Sequence, residues 1–270
     1  MITTRDGLIA GLGNGADRQV IDKASLANTV AGQVFSLWTS AGSPGVGATP
    51  STAAVCTQAL AGSFGLTNQT SPATSYLGWL AVQTGNSATN LEIHDRIAHM
   101  GGLSGIVTTA QGALNLVTLA PSAARIGDAT YDEVQWWLEV YTALGATGVN
   151  ATVNVTYDDA STGNLAAIAL GATPRAGRLY PLISAVSGRY IRAVNSVTLS
   201  ATTGTAGNFG ITATRPRTSV SCPLLNKTET FDWAQLGFPE IENDSCLMML
   251  MICSTTTTGT VRGQSKIAHG

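Results

Sequence analysis

Between Lys23 and Glu92 the chain carries no Asp, Glu, Lys or Arg. A free protein surface normally carries charge, which keeps it soluble and unassociated, so a charge-free stretch over residues 24–91 is expected to lie against other protein. The shortage extends to the whole chain. Charged residues make up 11% of its 270 residues, against roughly 25% in an ordinary globular protein. The apolar share of 44% does not compensate. Thr, Ser, Asn and Gly fill the difference, and Thr with the aliphatics suits a pleated, half-buried surface better than a helix.

The same composition excludes several partners. A net charge of -2 and an isoelectric point near 5.9 give no basic footprint for nucleic acid or an anionic membrane. The first residues lack the basic and long apolar regions of an export signal. The most apolar run, residues 53–66, is broken by Thr57, Gln58, Gly62 and Ser63, well short of the ~18 consecutive apolar residues of a spanning helix. Cys56, Cys222, Cys246 and Cys253 are too scattered for a disulfide framework and have no CxxC spacing for zinc, so buried free thiols are expected. No cofactor is expected either.

Residues 16–38 place Val20, Ile21, Ala24, Leu26, Ala27, Val30, Ala31, Val34 and Leu37 at roughly helical spacing, with Asp17 as N-cap and a Gly- and Ser-rich stop at residues 40–45. This predicts an amphipathic helix. Residues 42–72 read as an uncharged stretch with one apolar patch, 53–66, that fits either a short second helix or an extended strap. From residue 71 onward short strand-like runs follow one another, at 76–83, 90–98, 104–110, 136–143, 149–157, 164–170, 178–185, 191–201, 208–214, 245–254 and 259–267. In residues 149–157 Val149, Ala151, Val153, Val155 and Tyr157 alternate with polar residues, as an antiparallel strand buried on one side requires. Residues 158–163 supply a hairpin turn. The expected fold is mainly β: a jelly-roll-like antiparallel β-sandwich over residues 71–270, preceded by an N-terminal helix and extended arm over residues 1–70.

Several patterns bear on chemistry. Gly11, Gly13 and Ala16 fit GxGxxA, yet the acidic ribose ligand that a dinucleotide fold places ~20 residues on is missing. Glu92 and His94 share one face of a strand, while Asp95 and His99 share the other, so they do not converge on a metal. No GxSxG elbow accompanies the histidines. Asp158 with Asp159, and Glu240, Glu242 and Asp244, sit in turns where carboxylates are routine. Glu92 and Glu139 are the strand-borne glutamates that a glycosidase would need to bring together. Trp136 and Trp137 point to opposite sides of a strand, which leaves one ring to face outward or into a partner, where it could hold a glycan. Arg175, Arg178, Arg189 and Arg192 cluster in sequence and read as interface residues, since Arg is favoured there and the chain is not basic. Val55, Leu60, Phe64 and Leu66 are the expected apolar anchors of the strap.

The block His94-Asp95-Arg96-Ile97-Ala98-His99-Met100-Gly101-Gly102-Leu103-Ser104-Gly105, followed by Val107-Thr108-Thr109-Ala110-Gln111, resembles a segment of tailed-bacteriophage virion proteins. Trp137-Leu138-Glu139-Val140-Tyr141-Thr142, Arg175-Ala176-Gly177-Arg178, Thr205-Ala206-Gly207-Asn208-Phe209-Gly210 and Asp232-Trp233-Ala234-Gln235-Leu236-Gly237 resemble later blocks of the same family. The resemblance implies a non-enzymatic structural protein of the virion, either a capsid decoration or cement protein or a tail or receptor-binding component. Its partners would be the major capsid protein or other virion proteins, with a homo-oligomer expected and a glycan only under the tail reading. The resemblance brings no catalytic, cofactor or metal residues.

Overall fold

The computed structural model describes residues 2–13, 16–26, 29–85, 89–254, 256 and 259–270. The chain opens with α1 (Arg5–Leu12) and continues through β1 (Asp17–Lys23), β2 (Val34–Ser36), β3 (Gly42–Ser43), β4 (Ala54–Val55), β5 (Ser75–Thr84) and β6 (Thr89–Leu103). There follow β7 (Leu114–Asn115), the short helices α2 (Leu116–Leu119) and α3 (Ala123–Ile126), β8 (Gln135–Thr142), β9 (Val149–Tyr157), β10 (Thr162–Asn164) and β11 (Ile168–Gly171). The last elements are β12 (Arg178–Leu182), β13 (Ile191–Leu199), β14 (Asn208–Cys222), β15 (Glu229–Asp232), β16 (Glu240–Ile241), β17 (Leu247–Ile252) and β18 (Val261–His269). The expected mainly β, antiparallel class is the one observed. The strands fall into two compact units, each discontinuous in sequence: Met1–Ala48, Thr57–Asp95 and Arg217–Gly270 form the first, and Thr49–Cys56 with Arg96–Pro216 the second.

In the first unit one sheet runs β15-β5-β18-β1-β3, with β16 also on β5. β18 is its keystone, antiparallel to β1 from Asp17↔Ile267 to Lys23↔Val261 and to β5 from Val261↔Thr84 to His269↔Ser75. Opposite it, β17 lies between β2 and the first half of β6. Ile21, Leu77, Leu80, Val82 and Ile267 from one sheet meet Phe35, Leu91, Ile93, Met249 and Met251 from the other in one core. The run Leu247 to Met251 is buried on both faces, which accounts for its unbroken apolar sequence.

The helix expected over residues 16–38 does not form. Residues 17–23 alternate instead, with Ile21 and Lys23 buried and Arg18, Val20 and Asp22 exposed, and seven cross-strand partners on β18 decide the matter. Tertiary pairing overrides a periodicity that short apolar runs leave ambiguous. Asp17 is no helix cap; its carboxylate accepts from the Thr67 amide and hydroxyl. The N-terminal helix lies earlier, over Arg5–Leu12, where Thr4 Oγ1 accepts from Gly7 N at 3.0 Å and Asp6 sits in the first turn. Of the GxGxxA pattern, Asn14 and Gly15 lie outside the described residues.

The charge-free stretch also finds much of its cover inside the chain. Lys23, the last charge before it, is buried and donates to the carbonyls of Ser40 (3.2 Å), Pro44 (2.6 Å) and Gly45 (3.2 Å). Burial lowers its pKa to about 8. Trp38 is 1% exposed and lies between two glycines: a Cβ on Gly47 would come within 2.0 Å of the indole, and one on Gly62 within 2.6 Å. Its Nε1 donates to Ala48 O at 2.9 Å. Phe64 is buried in the first unit's core and Leu66 packs against that core. Residues 1–70 thus contribute strands and core to the units themselves, and the compact units are not divided at residue 71.

In the second unit β9 bears out its alternation, with Val149, Ala151, Val153, Val155 and Tyr157 buried. β13, β10 and β11 pair with it. The facing layer sets β8 between β12 and β14. Trp136, Leu138, Val140, Phe209 and Ile211 close the core against Val153, Val155, Val194 and Val197. Residues 104–110, expected as a strand, form a loop instead. There the Gln111 amide bonds the Ser104 and Val107 carbonyls and Gln111 Oε1 accepts from Ser104 N, taking the place of a strand partner.

Candidate functional site

β6 and β8 bring the chain's most unusual chemistry into the interior of the second unit. Arg96 and Glu139, both fully removed from solvent, meet at 2.6 Å. Arg96 also donates to His99 Nδ1 (3.0 Å), Tyr141 Oη (2.7 Å) and Thr212 Oγ1 (3.2 Å), and Thr212 Oγ1 donates to Glu139 Oε2 at 2.6 Å. Burial opposes the guanidinium charge, but the adjoining Glu139 carboxylate more than offsets this and raises the pKa of Arg96. Burial, reinforced by the Arg96 charge, lowers that of His99 to about 2, so its imidazole is neutral. Burial raises that of Tyr141. Arg125, also buried, donates to Cys56 O (2.7 Å) and Arg96 O (3.0 Å).

This cluster is built to hold strands together. A catalytic carboxylate must reach substrate, and Glu139 is enclosed and paired, which removes it from the role a glycosidase would give it. Glu92 pairs with His94 at 2.9 Å in the first unit, while Asp95 accepts from Ser245 Oγ (3.1 Å) and Cys246 N (2.8 Å). Four of the turn carboxylates are likewise engaged. Glu242 pairs with Arg217, Asp244 accepts from Asn68, and Asp158 and Asp159 pair with Arg189. All four cysteines are buried and free. Among the described residues no group of three or more His, Cys, Asp or Glu is placed to hold a metal.

Trp136 and Trp137 correct the expectation that one ring faces outward, for they are 2% and 7% exposed. Trp136 Nε1 donates to Ile191 O at 2.7 Å, and Trp137 Nε1 to Thr214 Oγ1 at 2.9 Å. Each satisfied indole N–H makes burial affordable on its own side of β8.

The proposed interface residues are divided between the units, Leu60, Phe64 and Leu66 in the first and Val55 with the four arginines in the second. Val55 is half-buried in β4, beside Ala98, Leu60 is half-buried in a turn, and Phe64 is an interior residue. Arg178 lies over the Tyr180 ring at 4.7 Å. Arg189 is committed to the β9–β10 turn, 2.9 Å from Asp159. Arg175 is exposed and Arg192 half-buried, and neither has an acidic partner among the described residues.

A surface not foreseen from the sequence follows β12. Ile183 is 73% exposed, Val186 46% and Tyr190 40%, and Ile183 lines a groove of about 310 Å³ with Val134, Trp136, Pro181 and Leu182. Polar bonds fix the loop that carries them: Tyr190 N donates to Asp158 Oδ1 at 3.1 Å and Ser184 Oγ to Val186 O at 2.8 Å. The available signal was Ile183, Val186 and Tyr190 standing in a Ser- and Gly-rich stretch with no alternation to turn them inward.

No family model and no curated protein matches the chain. Among solved structures, the chain is similar at low level to "Structure of infectious bursal disease virus Gt strain", with 11% identity over 94% of this chain and 80% of the other and a TM-score of 0.20. "Structure of infectious bursal disease virus Gx strain" gives 10% identity, 95% and 82% coverage and a TM-score of 0.20. A likeness at that level carries no inference for this chain.

Proposed function

We propose that the chain is a structural component of a bacteriophage virion, a capsid decoration or cement protein that stabilises the head through contacts between subunits. The observation that carries this reading is the anchored loop after β12, which holds Ile183, Val186 and Tyr190 out into solvent, Ile183 at the edge of an apolar groove. Exposed apolar groups clustered at a groove mark sites of protein association, and a loop already fixed by its own hydrogen bonds loses little entropy on docking. The resemblance of residues 94–111 and the later blocks to tailed-phage virion proteins points the same way, as does the enclosure of the Glu139 carboxylate. Val55, Leu60, Arg175 and Arg192 are further contact residues of the proposal, in a homo-oligomer or against the major capsid protein. Repeated around a shell, such contacts gain by avidity.

The test is copy number. In purified particles the chain should match the major shell protein in abundance, and a band at a small fraction of that level would overturn the decoration reading in favour of a tail component.

A further inference from the structure

We infer that the outward face of the first unit's β5-β18-β1 sheet is a binding groove for a neutral oligosaccharide. This inference does not depend on where the chain sits in a particle. The pairings Asp22↔Arg262 and Val20↔Gln264 across β1 and β18, and Arg262↔Gln83, Gln264↔Ala81 and Lys266↔Trp79 across β18 and β5, set these side chains in three adjacent rows. Trp79, Ala81 and Gln83 are half-buried on that face, while Val20, Asp22, Arg262 and Gln264 are exposed. They line a groove of about 410 Å³, within the range of sites that take small ligands.

The chemistry of the lining selects the ligand. A pyranose presents an apolar C–H face and a rim of hydroxyls, and it carries no charge. The half-buried indole of Trp79, with Ala81 and Val20, offers a flat apolar floor. Lys266 steadies the indole, its ammonium 5.7 Å from the ring centroid and donating to Leu12 O at 3.4 Å. Around the floor stand polar groups with capacity to spare. Trp79 Nε1 and the Gln264 amide have no hydrogen-bond partner among the described residues. Thr228 Oγ1 donates to Gln83 Oε1 at 3.0 Å, which orients that amide and leaves its NH₂ available. Asp22 and Arg262 pair at 3.1 Å through one oxygen and Nε, so the second carboxylate oxygen and the terminal guanidinium nitrogens can bond vicinal hydroxyls. Within the groove's lining the Asp22 and Arg262 charges cancel, which matches an uncharged ligand, and Lys266, outside that lining, adds one cation beside the indole. A protein partner would instead meet a concave, polar-rimmed surface with a single aromatic group.

The experiment is binding of the full chain to an array of neutral oligosaccharides of glucose, galactose and N-acetylglucosamine, alongside sialylated and sulfated glycans, with calorimetry on any hit. The expected result is binding to at least one neutral oligosaccharide that is insensitive to salt and weakened at least ten-fold by Trp79→Ala. The Gln83→Ala/Gln264→Ala double variant, altered only on the outward face, should weaken it similarly with an unchanged melting temperature, which guards against a Trp79 variant that fails to fold. No binding to any neutral glycan, binding to acidic glycans alone, or a hit untouched by the double variant would overturn the inference.

Discussion

Arg96 Nη2 and Glu139 Oε2 lie 2.6 Å apart with both side chains at 0% exposure. A buried pair is no guarantee of stability, but removing one partner strands the other charge in the interior. Glu139→Gln keeps the shape and should destabilise the protein by about 3–5 kcal/mol, read as a lower urea midpoint at unchanged slope. Replacing both residues, as Arg96→Met/Glu139→Leu, should recover a large part of that loss.

His99 gives this cluster a pH signature. Its pKa is about 2 in the folded protein, against 6.5 for the free side chain, so between these values the unfolded chain takes up a proton that the folded chain does not. The stability it contributes is therefore complete above pH 6.5 and is lost as pH falls toward 2, at up to about 1.4 kcal/mol per pH unit. Urea titrations at pH 7.5 and pH 5 should show a clearly shallower decline for His99→Gln than for the unaltered chain.

The Trp38 slot is a test of packing. Gly47→Ala and Gly62→Ala each drive a methyl group into the indole, and overpacking of this kind costs about 1–3 kcal/mol. Both should lower the melting temperature, and Gly47→Ala, with the closer approach, should lower it more.

The loop after β12 separates folding from assembly. Ile183→Asp and Val186→Asp alter exposed side chains, so stability should change by no more than about 0.5 kcal/mol. Attachment to particles lacking the protein should nevertheless fall at least ten-fold in a pull-down, if the decoration reading holds.

What could be read from the sequence was what alternation writes down locally. β9 was legible to the residue, because Val149 through Tyr157 face a single core, and most later strands were legible within a few residues. Residues 16–38 were not, since the partner that makes 17–23 a strand lies at 261–267, at the far end of the chain. The enclosure of Phe64 and Trp38 was hidden for the same reason: an uncharged stretch says only that cover is needed, not whether it comes from the same molecule. Glu139 stood amid Trp137, Leu138, Val140 and Tyr141, where a charge signals a buried partner, yet nothing local identified that partner as Arg96. The groove at Trp79 has no local mark in the sequence, because its lining comes mainly from β1, β5 and β18, which lie far apart along the chain.

The placement of β18 has a consequence for synthesis on the ribosome. This strand, between β1 and β5, is the last of the described strands to be translated, so the first unit's large sheet has no centre until Val261–His269 has emerged. Both segments of the second unit, by contrast, are complete once Pro216 has emerged. The second unit can therefore mature while β1 and β5 still lack β18 between them, and the nascent chain spends that interval with one unprotected edge on each of the two strands. A chaperone acting during translation would find its target there.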